Sequence, residues 1–108
     1  MLSGYRIMWL MVMFDLPVTT AEERKKATKF RQELLDEGFE MSQFSVYMRY
    51  FGSRERADAA TKRILKRVPP LGKVSMIQFT DKQFENIVSY TNRKPTPPAE
   101  KMEQLILL

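Results

Sequence analysis

Ile7-Met8-Trp9-Leu10-Met11-Val12-Met13-Phe14-Asp15 is a run of eight apolar residues closed by a carboxylate, with no Gly or Pro inside it. Periodicity alone fits a buried helix as well as a strand. The shortness of the run, its Ile, Val, Trp and Phe, and the Pro17 that follows favour a strand covered on both faces. A strand that carries one Asp to its C-terminal tip is a common way for a sheet to present chemistry. Asp15 has a second reading, in which it only bonds the backbone of the Leu16-Pro17 turn.

Downstream, Thr19…Glu22 and Thr20…Glu23 both have the spacing of a capping box, which satisfies the open N–H groups of a first helical turn. Ala27, Phe30 and Leu34 recur at helical spacing and Leu35 widens the stripe. Gly38 stands where a left-handed cap is wanted, with Phe39 behind it, so a helix is expected over about residues 20–37. Residues 40–51 alternate apolar and polar side chains and are too long for one typical strand. They divide into two antiparallel strands turning near Gln43-Phe44-Ser45. A second helix is expected over residues 54–68, with Ala57, Ala60, Ile64 and Val68 on one face, ended by Pro69-Pro70. Residues 72–80 read as a strand, 81–85 as a turn and 86–91 as one more short strand. Pro95, Pro97 and Pro98 divide a domain over residues 1–94 from a linker and apolar tail over 95–108.

Strand–helix–strand–strand–helix–strand is the ferredoxin-like α+β plan, two helices on one face of an antiparallel sheet, here with a short strand added. Its geometry carries a consequence. The helices cover one face, yet the first strand is apolar on both. A second copy packed sheet against sheet is the simplest cover, with the strand at 86–91 available to cross to the partner. A monomer covered by its own C-terminal tail is the alternative.

Absences narrow the chemistry. With no His and no Cys, the 108 residues hold no Ser-His-Asp or Cys-His nucleophilic site, no ordinary zinc site and no disulfide. Hydrolysis would then fall to carboxylates holding a hard cation such as Mg²⁺, or less usually to a Lys or Tyr base. In a two-fold dimer, two Asp15 carboxylates brought together would hold one such ion between them. No apolar run is long enough to span a membrane and the N-terminus lacks the order of regions of a signal peptide, so a cytoplasmic protein is expected.

The net charge of +5 favours a polyanionic partner. The first helix balances its basic residues with acids. In the second, Arg54, Arg56, Lys62, Arg63, Lys66 and Arg67 meet only Glu55 and Asp58, which makes it the better candidate for phosphate contact, although a merely solvated face reads the same way. The closing Leu105-Ile106-Leu107-Leu108 suits a docking segment for a protein partner, or a tail that folds back.

Met13-Phe14-Asp15-Leu16-Pro17, Lys29-Phe30-Arg31, Glu37-Gly38-Phe39, Gln43-Phe44-Ser45-Val46-Tyr47 and Phe79-Thr80-Asp81-Lys82-Gln83-Phe84 occur in order over about residues 6–90. Together they resemble the CRISPR-associated protein 2 family, most closely the form found in type II systems. The resemblance implies a ferredoxin-like homodimer with Asp15 in the place of the family's metal-binding, catalytic Asp. It also implies a CRISPR integrase subunit as partner, with one dimer of this protein bridging two integrase dimers and duplex prespacer DNA lying along the assembly. Some members are described as Mg²⁺-dependent endonucleases, while others act as scaffolds. Ser45, inside a family motif, reads as turn-forming. A toxin-type ribonuclease of the same fold is the outside alternative.

Overall fold

The computed structural model describes residues 7–97. Strand β1 (Met8–Asp15) is followed by helix α1 (Ala21–Asp36), strands β2 (Glu40–Gln43) and β3 (Val46–Phe51), helix α2 (Arg54–Leu65) and strand β4 (Lys73–Thr80). A short helix α3 (Asp81–Glu85) and two-residue strands β5 (Tyr90–Thr91) and β6 (Lys94–Pro95) complete the described chain. The four-stranded sheet has the order β2-β3-β1-β4 with antiparallel neighbours, the ferredoxin-like arrangement that the pattern predicts.

Local chemistry sets the boundaries. Thr20 and Glu23 form the predicted capping box, each side chain bonding the other's backbone N–H. At the far end Gly38 takes φ +89° and the Phe39 N–H returns to the Leu34 carbonyl at 3.0 Å, so Phe39 drops into the core. The β2–β3 turn falls at Phe44-Ser45, with Ser45 at φ 63°. Helix α2 stops at Leu65, three residues before the predicted end, as the chain turns toward Pro69-Pro70.

Because side chains alternate along a strand, β1 feeds two clusters. Met8, Leu10 and Val12 face the helices and pack with Phe30, Leu34, Tyr47, Phe51, Ala57, Ala60 and Ile64. Trp9 points to the other face, beside Tyr50 and Phe84. Two expectations are corrected here. Residues 81–85 form helix α3 rather than a turn, because Thr80 and Gln83 make a second capping box. The expected strand over 86–91 contracts to Tyr90–Thr91, which pairs with Lys94–Pro95 in a separate small ladder.

Helix α3 also alters the account of the second sheet face. Phe84 lies 3.8 Å from the Trp9 ring and parallel to it, and the Trp9 indole N–H donates to the buried Asp81 carboxylate at 3.0 Å. Burial, with Asp81 nearby, pushes the Tyr50 phenol above its ordinary pKa. Half of the second face is therefore covered from within the chain. Among the described residues, no element covers the other half, around Met11, Met13, Val46 and Ile77: Met13 is 36% and Ile77 51% exposed.

Candidate functional site

Asp15 ends β1 on this second face, in line with Met11 and Met13, and its side is exposed to solvent. Lys73 stands opposite it in the β1–β4 ladder. A shallow open cleft of about 320 Å³ joins Asp15 to Met13, Ser45, Val46, Lys73 and Ser75, with Phe44 at its rim. Three backbone features hold the carboxylate there. The Phe14 N–H donates to the Ser45 carbonyl at 3.0 Å, which ties the strand tip to the β2–β3 turn. Ser45 accepts a left-handed conformation to present that carbonyl, the turn-forming role read from the sequence. Gly72 has φ +95° and lies so close that a Cβ there would come within 2.6 Å of the Asp15 carbonyl oxygen. Only glycine permits this approach.

Among the described residues no three acidic side chains gather as a metal cluster. One Asp15 is thus a single ligand, which suits Mg²⁺ only in its usual form, with one or two carboxylates and several retained waters. Within one chain the donor set therefore offers that ion a single carboxylate and not a cage.

The basic residues of α2 separate into distinct environments. Arg63 forms a bidentate pair with Glu37, Nε to Oε2 at 2.9 Å and Nη2 to Oε1 at 3.0 Å. Arg67 reaches the same carboxylate at 3.3 Å and Glu33 at 3.8 Å. Arg49, its guanidinium 4.5 Å above the Phe51 ring, donates to the Glu37 carbonyl from the sheet side. The Arg63 hydrogen bonds, against an opposing desolvation and with help from the nearby charges, hold the Glu37 carboxyl below the ordinary carboxylate range. Arg54 bonds Gln78 of β4 at 3.4 Å. Arg56, Lys62 and Lys66 are exposed. The six cations thus include three that brace α2 against α1 or the sheet, and they lie on the helix face rather than beside Asp15. Leu105, Ile106, Leu107 and Leu108 lie outside the described residues.

Sequence reasoning gave no role to Lys73, Gly72 or Glu37. The first two had a faint local signal, a Gly and a cation opening a strand. Glu37 stood only within the Glu37-Gly38-Phe39 motif, and its pairing with Arg63 had no local signal because it spans 26 positions of chain.

Residues 8–87 match the family described as CRISPR associated protein Cas2. Over 107 residues, 99% of each chain, the sequence is 50% identical to the CRISPR-associated endoribonuclease Cas2 of Paracidovorax avenae. It is 46% identical to the protein of the same name from Flavobacterium psychrophilum, over 98% of this chain and 92% of that one. The corresponding protein of Streptococcus mutans is 37% identical over 94% and 93% of the two chains. A ferredoxin-like sheet with a lone carboxylate at the tip of its first strand, and whole-length similarity of this degree, lead to one conclusion: the chain belongs to the CRISPR-associated Cas2 family.

Proposed function

We propose that this protein serves CRISPR adaptation as a homodimeric, DNA-binding scaffold that bridges integrase dimers during spacer acquisition, with a metal-dependent phosphodiesterase capacity at Asp15. The observation that carries this reading is the uncovered half of the second sheet face, with Asp15 at its margin. Burying Met11, Met13, Val46 and Ile77 against the same residues of a second copy removes an exposed apolar surface and is self-complementary, as a two-fold interface requires. It also brings two Asp15 carboxylates toward one seam, where they would hold a hydrated Mg²⁺. That ion, when bound, supplies a water of lowered pKa. The chain's own part is to fix the carboxylate through Gly72 and Ser45 and to place the Lys73 cation beside it for a phosphate oxygen. The test is a reconstituted integration reaction with the integrase subunit and a duplex prespacer. Integration by the Asp15→Ala protein supports the scaffold reading, while loss of integration from a folded Asp15→Ala dimer rejects it.

A second reading, Mg²⁺-dependent endoribonuclease as the main role, is favoured by the names that the similar proteins carry and by the open access to Asp15. Cleavage of single-stranded RNA that depends on Mg²⁺ and on Asp15 supports it.

A further inference from the structure

Between α1 and the C-terminal end of α2 lies an open groove of about 340 Å³ that shares no lining residue with the Asp15 cleft. Its floor is Phe30, Val68 and the Pro69-Pro70 pair, and its charged lining is Lys26, Lys29, Lys66, Arg67 and Glu33. Four cations therefore face one carboxylate, and that carboxylate is already engaged by Arg67 at 3.8 Å. Lys26 has only an exposed partner one turn back, Glu22 at 3.4 Å, an interaction worth little in water. Among the described residues Lys29 and Lys66 have no ion pair; Lys29 belongs to α1 and Lys66 caps the C-terminus of α2, and both line the groove. The neighbouring Glu37 cluster fixes the spacing of the two helices, and Pro69-Pro70 stiffens the floor, so the cations are presented by a preformed frame.

Resting on the nucleic-acid-binding reading above, we propose that this inter-helix groove is a phosphate-contact site for duplex DNA, with Lys29 and Lys66 as its principal cations. The chemistry selects a duplex backbone over a single strand. The groove's one aromatic residue, Phe30, is buried and offers no face on which an unpaired base could stack. Flexible ammonium groups without a planar reading partner bind phosphates by charge and carry no base preference. The site is separate from Asp15, so the two are expected to fail independently.

The test is fluorescence anisotropy of a labelled mixed-sequence duplex across a salt series, using the full chain. Lys29→Ala combined with Lys66→Ala is compared with Lys25→Ala combined with Arg31→Ala, which removes the same charge from exposed α1 positions outside the groove. The groove variant is expected to weaken binding and to reduce the slope of log affinity against log salt by about 1.8, two phosphates at roughly 0.9 each. The control pair and Asp15→Ala are expected to keep most of the native slope. A native slope in the groove variant, or an equal reduction in the control pair, overturns the groove while leaving DNA binding in place. No salt-dependent binding by the native chain overturns both the groove and the scaffold reading. Matching thermal melts of the variants ensure that unfolding is not the cause.

Discussion

A methyl group at position 72 would stand 2.6 Å from the Asp15 carbonyl oxygen and 2.9 Å from a methyl of Leu16. Those contacts, added to a left-handed backbone, mean that Gly72→Ala is expected to destabilise the protein by about 2 kcal/mol in urea titration. It should also lower any Asp15-dependent cleavage by shifting the strand tip. A stability within error of native would remove the claim that this approach is tight. Asp15 itself is exposed and bonds nothing that the fold needs, so Asp15→Ala is expected to change stability by no more than about 0.5 kcal/mol. Mg²⁺-dependent cleavage, where measured, should fall at least about 100-fold in that variant. The position of Asp15 at the end of an apolar strand was legible in the sequence. Gly72 and Lys73 were not, because their importance comes from a β1–β4 pairing that joins residues nearly sixty positions apart.

At the scale of elements, α3 and the Glu37 cluster hold the framework. Helix α3 is five residues long and too short to persist alone. It depends on the Phe84–Trp9 stack and the indole-to-Asp81 hydrogen bond. Asp81→Ala is expected to cost about 2 kcal/mol and to shift the emission of the single tryptophan to the red as α3 loosens. Unchanged emission and stability would deny α3 that role. The Thr80…Gln83 spacing that starts this helix is a local signal the sequence held, but a reading weighted toward apolar periodicity passes over five residues with one large side chain. Helix α1, with a cap at each end and a regular stripe, was legible almost to the residue. The brace by Arg63, Arg67 and Arg49 around Glu37 joins α1, α2 and β3, and no local pattern announces such a contact. Because Glu37 titrates lower in the folded protein than in the unfolded chain, the unfolded state binds more protons between the two values. Its contribution is whole above the ordinary carboxylate range and fades as pH falls through the lower folded value. Glu37→Gln is expected to cost about 1 kcal/mol near pH 7 and to flatten the acid limb of a stability profile. An acid limb as steep as native would contradict the assignment.

For the whole molecule the decisive feature is a sheet covered unequally. The helices seal one face, α3 seals part of the other, and the remainder exposes Met13 and Ile77 beside a carboxylate. The sequence pattern led to the expectation of an apolar second face from Trp9, Met11 and Met13, and of a partner copy to cover it. It could not anticipate that α3 would take the Trp9 half, which reduces the surface left for association and places it nearer to Asp15. Sedimentation equilibrium of the full chain tests this most directly. The native protein is expected at twice the 12.7 kDa chain mass, and a folded Met13→Glu, Ile77→Glu variant at the mass of one chain. A native protein that sediments as a single chain, or a double variant that remains fully dimeric, would contradict the pairing of two sheets through this face.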